Sequence, residues 1–318
     1  MTESGGVQNT MPTPGNPPFW YGSFSALWVY YAVPIAVLDP ILATQSASLK
    51  AFAFDDLATD EPMGMMNINF MAYSSDSGVN DPQAYADITK PIAYDDKPPA
   101  SLGTEPTHEC EINIVSYGAE RRAQTPFGLS SSDFILGRDH TKTIGNYRLW
   151  VPCDDRIAVY WGMHNFGENK VMTHPFTYTT PALNNLTCTR WDLTIPAPVT
   201  EPAGGRLFSL QIDDLDGRAG VVASNQSEIL DFSLYPHREE GVGQRLVGSR
   251  RNIFGAFRCM TRASGGTMPT PDLDIGSSSH GIVGDLKKIF RAKRETCGVM
   301  TYATPPVIAE SSLYYADI

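Results

Sequence analysis

Cysteine is scarce and scattered in this chain of 318 residues. Its five copies (Cys110, Cys153, Cys188, Cys259 and Cys297) form no C-x-x-C pair, which argues against a zinc ribbon or a redox dithiol. Basic residues are nearly missing from the first third: residues 1–120 hold three lysines, no arginine and fifteen acids. The rest of the chain is close to neutral, and the whole carries −11. An acidic surface of this kind argues against nucleic acid as a partner. Long apolar runs are absent too. The most apolar segment, "ALWVYYAVPIAVL" at 26–38, is too short to span a bilayer and contains Pro34. The opening "MTESGGVQNTMPTPGNPP" has no basic region followed by an apolar run, so no signal peptide is expected. These absences predict a cytoplasmic protein with reduced thiols and no membrane contact. The histidines, among them His108, His140, His164 and His174, show no H-x-H or H-E-x-x-H spacing, and no metal site is expected. "GSSSHG" at 276–281 is not a nucleophile elbow, and "DDLDG" at 213–217 lacks the distal glutamate of a calcium loop.

What is present is an ordinary globular composition, 42% hydrophobic and 19% charged, enough for a sizeable core. Residues 1–18 are rich in Gly, Pro, Ser and Thr and read as an unstructured leader to one domain over 19–318. "ALWVYY" reads as a strand, and "PIAVLDPIL" as a short helix with Pro34 in its first turn. "MMNINFMAYS" (65–74) reads as a strand, and 75–106 as a long loop that either covers a pocket or decorates the surface. "HECEINIVSYG" (108–118) alternates Glu109, Glu111 and Asn113 against Cys110, Ile112 and Ile114, the pattern of a strand with one polar face. Further strands are predicted at 147–153, 156–162, 174–180, 190–196, 206–213 and 228–236. Late in the chain, helical spacing is clear only in "VGDLKKIFRAKRE" (283–295). Its basic residues form either a solvated face or a contact with the acidic half of a neighbouring subunit. Many short strands with few helices predict a mostly β fold, a closed barrel or stacked sheets.

The segment "AVYWGMHNFGENKVMTHPFTY" (158–178) places a single lysine, Lys170, among aromatic and small residues. An amine that adds to a carbonyl must be neutral, and removal from water favours the neutral form. Trp161, Phe166, Val171, Met172 and Phe176 are the expected apolar surroundings. The longer stretch "GNYRLWVPCDDRIAVYWGMHNFGENKVM" resembles the core of the acetoacetate decarboxylase family, in which a strand ending in glycine precedes a Schiff-base lysine by eight residues. Gly162 and Lys170 have that spacing. The resemblance extends through "NINFMAYSSDSG" and "HECEINIVSY" and covers roughly residues 19–180.

The resemblance implies an acetoacetate decarboxylase-like closed β-barrel with a few peripheral helices, active without a cofactor on a small keto acid and assembled as a homo-oligomer. It implies Lys170 as the imine-forming nucleophile and Glu109 as the carboxylate beside it, with Glu111 the alternative on the same strand face. Asn69, Glu111, Arg148 and Trp161 are the expected substrate contacts. This chain departs from the family's pattern in three places: it has no arginine before Arg121, Asn69 stands at an acidic position, and Val171 stands where a second lysine follows the nucleophile. Arg148, Arg121 or Arg122 is left to meet a substrate carboxylate, and Arg148 points either into the pocket or away from it. Two reactions are implied: decarboxylation of a β-keto acid, and aldol condensation with dehydration. A barrel that binds a carbonyl compound without turning it over is the reading outside enzymology.

Overall fold

The computed structural model describes the chain from Phe19 to Tyr315, except residues 77–103, 140, 157, 160–161, 164–166, 182–187, 236–244, 293 and 305–307. The expected leader at 1–18 and most of the expected loop at 75–106 therefore lie outside the described residues. Strands dominate, and two sheets hold them. In chain order they are β1 (Phe19–Pro34), β2 (Leu49–Ala51), β3 (Met63–Asp76), β4 (Thr104–Gly118), β5 (Gly145–Cys153), β6 (Lys170–Met172), β7 (Thr177–Thr179), β8 (Arg190–Pro196), β9 (Arg206–Asp213), β10 (Val222–Tyr235), β11 (Arg245–Thr261), β12 (Asp272–Ile275), β13 (Glu295–Thr304) and β14 (Ile308–Tyr315). The described helices are α1 (Ile35–Gln45), α2 (Ser131–Ile135) and α3 (Gly281–Arg291), with short 3₁₀ turns beside them. No helix among the described residues is long and apolar enough to cross a membrane.

The ten-stranded sheet runs β2-β4-β3-β1-β13-β11-β10-β5-β6, with β14 beside β1 and β11. β4 pairs antiparallel with β3 along one edge and with β5 along the other. β1 lies between β3 and β13, joining Phe24 to both Tyr73 and Thr304. The four-stranded sheet has the order β12-β9-β8-β7.

Period-two alternation sorts the side chains of the large sheet onto two buried faces. Leu27, Val29, Tyr31 and Val33 of β1 share one core with Ile68 and Phe70 of β3, Cys110, Ile112 and Ile114 of β4, and Phe232 of β10. α1 adds Leu38, Ile41 and Leu42 to that core, and α3 adds Ile282, Val283, Leu286, Ile289 and Phe290. The smaller sheet closes it with Trp191, Leu193, Phe208 and Leu210. The spacing of the α3 residues puts all five on one stripe, while Lys287, Lys288 and Arg291 on the other side are exposed.

On the opposite face, Ala26, Trp28, Tyr30 and Ala32 of β1 pack with Met71, Tyr73 and Tyr302. The same face carries Asn67, Asn69, Glu109, Glu111, Asn113, Asn146, Arg148, Asp231 and Arg251, all buried. A row that alternation alone would assign to solvent is therefore enclosed.

One predicted strand is corrected. At 156–162 the described residues Arg156, Ala158, Val159 and Gly162 are helical. The Asp155 carboxylate accepts the Ala158 N–H at 2.7 Å, and its carbonyl accepts the Val159 N–H at 3.0 Å. An aspartate that caps a helical turn in this way overrides the β propensity of the residues after it.

Candidate active site

Five strands and one turn deliver the ionisable groups to one place. β4 carries Glu109 and Glu111 inward on alternate residues, β5 carries Arg148, β10 carries Asp231, β11 carries Arg251, the turn before β6 carries Glu168, and β6 opens on Lys170. Gly167 makes that turn with φ of +65°, a conformation that costs a side-chain-bearing residue but not glycine. β6 pairs with β5 in parallel, setting Lys170 beside Val151.

Lys170 Nζ contacts Glu109 Oε2, and it lies 3.1 Å from Glu168 Oε2. Its side chain is 3% exposed. The Tyr73 hydroxyl donates to the same Glu109 oxygen at 2.9 Å. Glu168 turns its other oxygen to Arg148, which also reaches Glu111 at 3.1 Å and Asp231 at 2.9 Å. Arg251 adds contacts of 3.2 Å to both Glu111 and Asp231. Amides complete the network. Asn113 donates to Glu111 at 3.1 Å and to Asn67 at 2.9 Å; Asn67 donates to Asn146 at 2.7 Å; Asn146 donates to Asp231 at 3.3 Å.

Of the residues singled out in the sequence, Lys170 and Glu109 come into direct contact. Arg148 points inward, where three carboxylates already hold it. Glu111 belongs to the arginine cluster rather than to the amine, and Asn69 lies 3.5 Å from Glu111. Trp161 lies outside the described residues. Arg121 donates to Gln124, and Arg122 lines a separate cavity of about 730 Å³ together with Phe52, Tyr117 and the exposed Phe127. That cavity opens beside the far end of β4 from Glu109. His108 lies against Asp154 at 2.7 Å and the Tyr178 hydroxyl at 2.9 Å.

Sequence reasoning missed Glu168, Asp231 and Arg251. Glu168 stands two residues before Lys170, where a glutamate reads equally as the partner of a surface lysine. Asp231 and Ser233 alternate with Leu230, Phe232 and Leu234, a signal that reads equally as a solvent face. Arg251, in "GSRRNIFG", carries no signal at all.

The electrostatics correct one expectation. Burial does pull the Lys170 ammonium down, as predicted for an apolar setting. Glu109 and Glu168 outweigh it and hold the amine well above the ordinary lysine range. Burial raises Glu109 above the usual carboxylate range, against the pull of Lys170. Both directions say that the pair keeps its proton tightly. Glu168 is pushed up by burial and pulled further down by Arg148 and Lys170.

The arginine cluster splits its two acids. Burial would raise Glu111, but Arg148 and Arg251 bring it to about 2; burial wins at Asp231 and lifts it to about 6. Glu111 therefore adds stability that is present above its unfolded value of roughly 4.3 and is lost as pH falls toward 2. Asp231 has the opposite sign. Its contribution is complete below its unfolded value of roughly 3.9 and is lost as pH rises through 6. Urea unfolding followed across pH 4–7 should thus show a loss of stability on the alkaline side of pH 4 that Asp231→Asn flattens. An unchanged slope in that variant would remove Asp231 as its source.

The sequence matches no protein-family model and no curated protein. Among solved structures, the enduracididine biosynthesis enzyme MppR is similar at 13% identity and a TM-score of 0.55, over 98% of this chain and 91% of that one. Other structures of MppR hold pyruvate, and the condensation product of pyruvate and imidazole 4-carboxaldehyde. An acetoacetate decarboxylase-like enzyme from Sphingomonas wittichii RW1 is similar at 15% identity and a TM-score of 0.53, over 97% of this chain and 98% of that one. An acetoacetate decarboxylase is similar at 10% identity with the same score, over 100% and 98% of the two chains. Nearly the full length of the chain thus has the acetoacetate decarboxylase-like fold.

Proposed function

We propose that this chain is a cofactor-independent Schiff-base lyase acting on a small keto acid, with Lys170 as nucleophile and Glu109 as its proton partner. The observation that carries the reading is the contact between Lys170 Nζ and Glu109 Oε2, two groups 61 residues apart in the chain. The fold supports it, as does the hydrogen-bonded path β4-β3-β1-β13-β11-β10-β5, whose last strand pairs with its first. We take this path as the closed barrel of the family.

Because the pair keeps its proton, the amine is freed by transfer within the pair rather than by loss to water. Enclosure disfavours both charges, so the neutral amine beside a protonated Glu109 becomes accessible when a carbonyl arrives. The nitrogen then bonds to the carbonyl carbon, and the oxygen takes up a proton. Glu109 protonates the resulting hydroxyl, water leaves, and an iminium remains beside the Glu109 carboxylate. In a β-keto acid the bond to the carboxylate breaks, carbon dioxide departs, and the electron pair forms an enamine that is protonated at carbon. Water then releases the ketone and the amine.

Decarboxylation is the first fate proposed. Condensation with an aldehyde followed by dehydration is the second, and it is favoured by the MppR complex with such a product. A barrel that binds carbonyl compounds without turnover is favoured by the raised Lys170.

Borohydride trapping with pyruvate and acetoacetate, followed by peptide mass mapping, tests the reading. A substrate-dependent adduct on Lys170 is expected. Its absence with every keto acid, in folded protein, would leave the non-catalytic barrel.

Gly162 provides a second test. A Cβ at this position would overlap the Lys170 stem and Glu168 Oε2. Gly162→Ala is expected to slow trapping about 100-fold by displacing the amine, and to cost about 1–3 kcal/mol of stability. Wild-type trapping rates in this variant would show that the lysine tolerates displacement.

A further inference from the structure

Glu168 does not behave as an ordinary ion-pair partner. Its carboxylate bridges two buried cations, one oxygen on the Arg148 guanidinium and the other 3.1 Å from Lys170 Nζ. A short keto acid bound for imine formation has to satisfy the same two groups, with its carboxylate on a guanidinium and its carbonyl carbon at the amine. We infer that Glu168 is an internal stand-in for the substrate carboxylate, seated on the substrate's anion site and displaced when the keto acid enters. This inference rests on the Schiff-base reading of Lys170.

Three observations carry it. The Lys170 side chain is 3% exposed, so a carbonyl compound reaches Nζ only if a neighbour moves. Glu109 has to stay beside the amine as its proton partner, and the Tyr73 hydroxyl also holds it there, which leaves Glu168 as the neighbour to turn. Second, its backbone is fixed while its side chain is not part of a strand. The Glu168 N–H donates to the Gly162 carbonyl at 3.0 Å, its carbonyl accepts from Lys170 at 2.8 Å, and the Asn169 carbonyl accepts from Val151 at 2.9 Å. Rotation of the side chain alone vacates the bridge.

Third, the exchange balances charge. The buried cluster sets Glu109, Glu111, Glu168 and Asp231 against Lys170, Arg148 and Arg251. A substrate carboxylate taking the place of Glu168 on Arg148 keeps three counter-charges on that guanidinium, whereas a neutral ketone would strip it of one in a poorly solvated space.

The geometry also limits the ligand. One carboxylate group spans both cations, so the carboxylate and carbonyl of the ligand lie within one or two bonds of each other. Short 2-oxo and 3-oxo acids fit; a 4-oxo acid such as levulinate does not. Glu168 then acts as a specificity filter, since only an anion can compete with it for Arg148.

Calorimetric titration with oxamate tests the proposal apart from the imine, because this pyruvate isostere carries an amide that does not form one. In Glu168→Gln the half-saturating oxamate concentration is expected to fall at least ten-fold at pH 7. In Glu168→Asp, too short to bridge both cations, it should fall by less. Tighter binding in either folded variant supports the stand-in role. Unchanged or weaker binding in both would overturn it, and would make Glu168 a structural ion-pair partner. Trapping with pyruvate, run alongside, separates the two readings: tighter oxamate binding without a Lys170 adduct defeats the imine and keeps the anion site.

Discussion

Lys170→Ala should yield folded protein that forms no borohydride adduct with any keto acid and turns substrate over about 10⁴-fold more slowly or worse, the scale seen when a covalent nucleophile is removed. The expectation is this large because, among the described residues, no other amine stands in the cluster: its remaining buried cations are the guanidiniums of Arg148 and Arg251, which stay protonated. Glu109, already raised by burial, can take up a proton once its partner is gone, so loss of the lysine need not leave a bare buried charge. Circular dichroism and a thermal melt establish folding, and mass mapping establishes the missing adduct. Residual turnover within ten-fold of the parent would move the chemistry away from Lys170 altogether.

Arg148 is where the largest loss of stability is expected. Its side chain is 2% exposed and holds Glu111, Glu168 and Asp231 at once. Arg148→Met leaves those three carboxylates to share Arg251 and Lys170. Breaking a buried ion pair by removing one partner typically costs about 3–5 kcal/mol, since the surviving charge stays buried without compensation. Urea unfolding should register a loss of this size. A second replacement distinguishes charge from packing: Arg148→Met combined with Asp231→Asn and Glu111→Gln should recover part of the loss by removing the uncompensated acids. If the triple variant is no more stable than Arg148→Met, the guanidinium acts through the space it fills.

The strands were legible where the alternation was regular and the turn residues were clear. β8 and β9 fall on the predicted 190–196 and 206–213, and β3, β4 and β5 lie within a few residues of their expected positions. β11, β13 and β14 were not seen, because "RLVGSRRNIFG" and "ETCGVMTYAT" mix small, charged and apolar residues without a steady period. They read as strands only once β1 and β10 supply their partners.

The site was legible in its two central residues, and for different reasons. Lys170 stood out as a lone cation in apolar sequence, and Glu109 through the family resemblance. Its electrostatic setting was not legible. Alternation states that Glu109, Glu111 and Asp231 share a face with other polar groups, but period two carries no information about whether that face meets water or the opposite wall of a sheet. The network also joins residues more than 80 positions apart, such as Arg148 and Asp231, a distance over which local sequence says nothing.

The pairing of Phe24 with Thr304 bears on how the protein is made. At a synthesis rate of about 5–20 residues per second, β1 leaves the ribosome roughly a quarter of a minute to a minute before the strand that will cover its second edge exists. During that interval β3 can shield one side of Trp28 and Tyr30. The other side presents a long row of unpaired backbone groups to any extended chain nearby. Newly made copies on one messenger are therefore the nearest competitors for that edge, and spacing between ribosomes becomes a determinant of yield.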